Sequence, residues 1–291
     1  MNKSGHSGLI FALFQLTKPI ITIAVALTAL TGFLLCQGIF ANGWIKAVLG
    51  VYLLSAGSAV INHIQEAIPD SLMVRTQNRP IPSGRVSPAV AGIFSGVLVL
   101  AGIILLWLLP QKSPLLLGIF TLFWYNGVYT WLKRKTAFAV VPGSLVGALP
   151  PVIGWAAAGC NILQPQILLV AFFFFIGQIP HFWLILLNHG KDYERAGFPT
   201  ITRIFSNQQI ANLTFIWVAA TAMAAILPVL FGVIKNSWLA MSVFVMALAL
   251  LLIFRKWHKS YNQTETISAF IIINVFYLLM MLVFITDALL K

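Results

Sequence analysis

Four of the six acidic residues in this 291-residue chain fall in two short stretches that are also rich in Lys and Arg. The first, residues 62–85, reads NHIQEAIPDSLMVRTQNRPIPSGR. Asn62, Glu66 and Asp70 recur every four residues, so on a continuous helix they stack on one face about 5–6 Å apart. Pro69 is expected to bend or end that helix just before Asp70. Oxygen ligands at a helix end suit Mg²⁺, which takes one or two carboxylates, keeps waters and fills its octahedron with substrate phosphate. Arg75, Arg79 and Arg85 follow, with Pro80, Pro82 and Gly84 stiffening the turn, and guanidinium forks match phosphate oxygens. Acids with arginines on one loop therefore point to a metal–diphosphate complex. A solvated, salt-bridged loop is the plain alternative. Against it, Asn62 and Glu66 reach back into an apolar run, where an ionisable group costs ~2.5–3.5 kcal/mol on insertion scales.

The second stretch, residues 177–203, reads GQIPHFWLILLNHGKDYERAGFPTITR. Asp192 is placed to hold a second Mg²⁺ or share the first, with Lys191 on a phosphate, while Glu194 is either a further ligand or solvated surface. His181 is either a buried, hydrogen-bonded histidine or a contact to substrate or haem iron. A third feature joins Lys133, Arg134 and Lys135 to a segment bearing Gly143, Gly147 and Gly154 with Pro142, Pro150 and Pro151. The basic trio is the ordinary mark of a cytoplasmic membrane edge. The Gly and Pro residues mark a close-packed or kinked helix, of the sort that lines a cavity or simply packs tightly.

These residues must be positioned by membrane helices. The chain is 60% hydrophobic and only 8% charged, too few charges to coat a soluble globule. Its long continuous apolar runs exclude a β-barrel, whose strands alternate. The expected fold is an all-α integral membrane bundle of about nine transmembrane helices. The expected spans are 20–40, 44–64, 88–109, 114–132, 138–158, 163–188, 208–231, 236–254 and 266–287. Residues 1–19 are expected to be a cytoplasmic tail and 20–291 a single domain. No cleavage site follows the first apolar run, which is therefore expected to persist as a helix. Fourteen of the eighteen Lys and Arg residues fall in the tail and the even-numbered connections; only Lys46, Lys112, Lys235 and Lys291 fall opposite. That bias puts the N-terminus in the cytoplasm and, with an odd number of spans, the C-terminus outside. It also accounts for the net charge of +12 without nucleic acid. Cys36 and Cys160 fall near outer helix ends and are expected to be two buried thiols rather than a bonded pair.

An ordered set of motifs carries a resemblance. LTKP (16–19), Asn62-x3-Glu66-x3-Asp70, RTQNRPIPSGR (75–85), YTWLKR (129–134), GALPPVIGW (147–155), PHFW (180–183) and KDYERAGFP (191–199) resemble the protoheme IX farnesyltransferases, a group of UbiA-type intramembrane prenyltransferases. The chain departs from the usual pattern at Ile20, Ile68, Ala139 and Pro142. The resemblance implies transfer of a farnesyl group from farnesyl diphosphate to a vinyl group of haem B, with addition of water, giving haem O and pyrophosphate. It implies Mg²⁺ held by Asn62, Glu66, Asp70 and Asp192, with Asp70 and Asp192 catalytic. Arg75, Arg79, Lys133, Arg134 and Lys191 would bind the diphosphate, and His181 and Trp183 would line the acceptor pocket. The cell membrane, with the site facing the cytoplasm and lipid as a partner, is the implied location.

The chemistry agrees with the residues. Breaking an allylic C–O bond leaves a cation and a pyrophosphate anion, so metal and cationic side chains stabilise the leaving group. An apolar, aromatic-rich cavity shields the cation from water; Phe172–Phe175, Phe182 and Trp183 are either its walls or plain helix packing. Two other readings stand beside this one: the same fold prenylating a quinone precursor or another aromatic acceptor, and a transporter or lipid-binding membrane protein. Transporters place polar sites at mid-membrane on broken helices within repeats, whereas here the acids crowd one edge and no repeat is evident.

Overall fold

The structure is a computed structural model and describes residues 3–259 and 261–290; Lys291, counted above on the outer side, lies outside the described residues. Among these, nine helices are long and apolar enough to cross a membrane. A helix α1 (Lys3–Leu16) occupies most of the stretch expected to be a tail. The spans are α2 (Pro19–Gln37), α3 (Trp44–Gln65), α5 (Pro88–Trp107), α6 (Ser113–Leu132), α7 (Val140–Ala157), α8 (Pro165–Arg195), α9 (Asn207–Leu230), α10 (Ser237–Lys259) and α11 (Thr266–Leu289). A short helix α4 (Ala67–Leu72) lies between α3 and α5. Each expected span has its helix. The largest difference is α8, which continues to Arg195 and so carries Asp192 as a helical residue.

Neighbours in sequence pack as neighbours in space, and α11 returns against α2, so the spans close into a ring. The tightest seam joins α2 to α7. A Cβ added at Gly32 would collide with the Pro151 carbonyl oxygen, and one at Gly154 with that of Ala29. Only glycine lets two helix backbones approach this closely, so the Gly and Pro content of α7 serves close packing. Around Phe173 of α8, the rings of Phe174, Phe276, Tyr277 and Phe284 pack edge-on. Phe172 instead faces outward.

At the edge away from the acids, the structure corrects the expectation of two thiols: Cys36 and Cys160 form a disulfide, with Cα atoms 6.2 Å apart. Their sequence separation of 124 residues hid the pairing. Gln37 supports the same junction, its Nε2 donating to the Ala158 carbonyl at 2.6 Å.

Candidate active site

The membrane edge opposite the disulfide gathers the connections that carry the acids. Its geometry begins with a proline. Because Pro69 has no N–H, the Gln65 carbonyl lacks its helical donor. Helix α3 accordingly ends at Gln65, with Glu66 at the junction, and α4 restarts at Ala67. The break falls three residues earlier than the position of Pro69 suggests. The freed Gln65 carbonyl accepts from Arg134 Nη2 at 2.5 Å, which ties the basic trio after α6 to the end of α3.

Each acid of the first motif has a cation on it. Lys133 forms an ion pair with Glu66. Arg79 Nη1 donates to both Asp70 carboxylate oxygens, at 2.9 and 2.7 Å. Asp70 is 1% exposed and Asn62 2% exposed, so their side chains turn into the bundle. Lys18 Nζ donates to Asn62 Oδ1 at 3.0 Å, and Asn62 Nδ2 donates to Thr130 Oγ1 at 3.4 Å. The second motif reaches the first through Asp192: its Oδ2 accepts the Arg75 backbone N–H at 3.4 Å. Arg195 stands 3.8 Å from the other oxygen of Asp192.

Lys18 had no role in the expected site beyond the LTKP motif. It is the one described non-glycine residue with positive φ, +50°, a conformation that costs of order 1–3 kcal/mol and persists only where surroundings enforce it. Pro19 starts α2 directly after it, and the turn aims the amine at Asn62. Burial, then the Arg79 charge, lower its pKa from 10.5 to about 8, with Glu66 pulling the other way.

Tyrosines and a histidine complete the surroundings. The Tyr125 and Tyr129 rings stack at 5.7 Å on α6, whose residues Trp124–Tyr129 are wound as a π-helix. Lys133 Nζ sits 5.5 Å above the Tyr129 ring and 5.9 Å from that of Phe198. Tyr193 packs against Phe198. His63 lies buried with Nδ1 3.8 Å from Asp70 Oδ2. The i, i+4 spacing of Tyr125 and Tyr129 was the available signal; nothing local marked His63.

Other expected site residues lie apart. The Lys191 side chain is exposed and makes no hydrogen bond or ion pair among the described residues. The Arg75 side chain is exposed too; its backbone makes the contact to Asp192. Arg134 stacks on Trp131 at 4.7 Å and lines a cleft of 270 Å³ with Gln65, Ile68, Pro69 and Phe198. His181 faces Phe270 of α11 at 4.8 Å, while Trp183 packs edge-on against Trp217 of α9. These two therefore point to different neighbours. Phe182 joins the site side through Tyr129.

Among the described residues, no three His, Cys, Asp or Glu side chains could enclose a metal by themselves. Asn62, Glu66, Asp70 and Asp192 instead offer hard oxygen donors within one cluster of cations. Such a set fits a cation that completes its shell with water and diphosphate oxygens.

Comparisons with known proteins identify the family. The UbiA prenyltransferase family profile matches residues 25–280. A protein from Geobacter sulfurreducens named protoheme IX farnesyltransferase is 38% identical over 224 residues, covering 75% of this chain and 80% of that protein. One of the same name from Oleidesulfovibrio alaskensis is 33% identical over 265 residues, covering 91% of this chain and 92% of that protein. Among solved structures, a digeranylgeranylglyceryl phosphate synthase superposes with TM-score 0.78 at 14% identity, over 97% of this chain and 99% of that one. A UbiA homolog from Archaeoglobus fulgidus bound to GPP and Mg²⁺ superposes with TM-score 0.63 at 15% identity, over 94% and 99%. Fold, motif order and sequence similarity converge, and the chain belongs to the UbiA prenyltransferase family, beside the protoheme IX farnesyltransferases.

Proposed function

We propose that this protein transfers a farnesyl group from farnesyl diphosphate to a vinyl group of haem B. The observation that carries the reading is the meeting of the two acidic motifs: Asn62, Glu66 and Asp70 on one side and Asp192 on the other, joined through Arg75 and lined by Lys18, Arg79 and Lys133. Lys18 holds Asn62, Arg79 holds Asp70 and Lys133 holds Glu66. When a diphosphate arrives, Lys18, Arg79 and Lys133 have an anion to turn to, and the freed carboxylates and Asn62 become ligands. Mg²⁺ held there would draw charge from the diphosphate as it leaves.

The farnesyl C1–O bond breaks with its electron pair going to the diphosphate. The vinyl π electrons form the new bond to C1, and the resulting cation beside the porphyrin takes up water, which releases a proton. Lys18, Arg79 and Lys133 hold the pyrophosphate anion as its charge develops. The Tyr125 and Tyr129 rings and Phe182 form an aromatic wall beside it, where water would otherwise quench the allylic cation.

We place the N-terminus and this edge in the cytoplasm, the C-terminus outside, and the whole in the cell membrane. The concentration of basic residues at the site edge supports that orientation. So does the disulfide at the opposite edge, since such bonds persist in oxidising compartments. The test is the mass and absorbance spectrum of haem extracted from cells with and without the protein. Haem heavier by one farnesyl and one hydroxyl group supports the reading. Unchanged haem, with a hydroxybenzoate prenylated in membranes supplied with Mg²⁺ and farnesyl diphosphate, would replace it with a quinone-precursor prenyltransferase.

A further inference from the structure

Beside the diphosphate cluster lies a second cleft, of 290 Å³, formed where the connection after α6 meets the connection after α8. Lys135, Thr136 and Phe138 line it from one side; Pro199, Arg203 and Ile204 line it from the other. Both cations are exposed, and neither makes a hydrogen bond or an ion pair through its side chain among the described residues. Arg203 influences Glu194 only through space. Glu194 Oε1 is already taken by the hydroxyls of Thr200 and Thr202, at 3.0 and 2.6 Å. Thr136 Oγ1 accepts the Phe138 N–H at 3.2 Å, which leaves its own proton for a ligand.

Charge balance separates this cleft from the site already described. There, Lys133 and Arg79 each meet an acid; here, one cation from each loop stands without an acid in contact. The cleft is a neighbour of the diphosphate cluster along both loops. Lys135 is two residues beyond Lys133, and Pro199 follows Phe198, whose ring faces Lys133 Nζ. A molecule that occupied both places would set its anionic end in this cleft and its other end at the cluster. Phe138 and Ile204, 46% and 56% exposed, offer it apolar flanks.

We infer that Lys135 and Arg203 bind the carboxylates of the acceptor, the two propionates of haem, and so fix which edge of the porphyrin faces the farnesyl cation. This rests on the acceptor reading above. A guanidinium takes a carboxylate through two parallel hydrogen bonds, and an ammonium takes one as a point charge. The pair therefore suits two carboxylates on flexible arms.

The experiment uses the full chain in nanodiscs and compares Lys135→Glu/Arg203→Glu with wild type on haem B and on its dimethyl ester. The double variant should raise the KM for haem B about tenfold or more, the scale of losing hydrogen bonds to charged groups. The KM for farnesyl diphosphate should stay as in wild type, and the ester should no longer distinguish the two proteins. Haem titrations followed at the Soret band should show the same split without turnover. An unchanged haem KM in an active variant overturns the subsite alone. So does an equal rise for haem and ester, or a defect that follows the anionic lipid content of the disc and thereby assigns the cleft to a lipid phosphate. If wild type neither binds nor converts haem, the acceptor reading falls and the subsite falls with it.

Discussion

The backbone N–H of Arg75 donates to Asp192 Oδ2, joining segments 117 residues apart in sequence. Through that contact the connection bearing Asp70 and Arg79 and the end of α8 become one surface. The contact requires α8 to stay helical as far as Asp192, which lies in its last turn.

The first prediction concerns the acids. Asp70→Asn and Asp192→Asn should each lower kcat/KM by about 100-fold or more, the scale on which electrostatic stabilisation of a leaving group is lost, while membrane insertion and folding persist. Glu194→Gln is the control, because Glu194 serves Thr200 and Thr202 rather than the cluster. Equal activity in all three proteins would remove the assigned role of the two aspartates.

The second concerns pH. With its pKa lowered to about 8, the Lys18 amine is charged below that pH and neutral above it in the free protein. A diphosphate needs the charged form, so kcat/KM for farnesyl diphosphate should fall as pH rises through 8; kcat/KM reports the free protein. Lys18→Arg stays charged, so its profile should hold flat to higher pH. Matching profiles for the two proteins would contradict the assignment.

The nine spans were legible because hydropathy sets them, and the charge bias marked the edge where the acids meet. The i, i+4, i+8 spacing of Asn62, Glu66 and Asp70 gave the first motif, although the break at Glu66 came from the hydrogen bond that Pro69 cannot make. What was not legible depends on distant partners. Lys18 before a proline reads as a topology charge until its contact to Asn62 is seen. The sixth span was expected to end at residue 188, whereas the helix runs on to Arg195 and sets Asp192 against Arg75. The pairing of Cys36 with Cys160 needed the fold.

The third prediction follows from that pairing. Cys36→Ser or Cys160→Ser should lower stability by about 2–5 kcal/mol, the usual loss for a native disulfide, and change mobility on a non-reducing gel. Activity at low temperature should remain, since the bond lies at the edge away from the acids. Identical melting curves with and without reductant would show that the bond contributes nothing.

The fourth tests the seam between α2 and α7. Gly32→Val and Gly154→Val place side-chain atoms against the carbonyls of Pro151 and Ala29 and force the backbones apart. Each should cut the yield of folded protein and lower its melting temperature, with losses of about 1–3 kcal/mol or more as for overpacked cores. Gly92→Val, on α5 with open space around it, should cost less.

The most direct measurement titrates Mn²⁺, followed by electron paramagnetic resonance, into the purified protein with and without a non-reacting farnesyl thiodiphosphate. Tight metal binding should appear only with the analogue, and Asp70→Asn and Asp192→Asn should each weaken it about 10–100-fold. Undiminished, analogue-dependent binding in both variants would show that these two carboxylates do not share a metal–diphosphate complex.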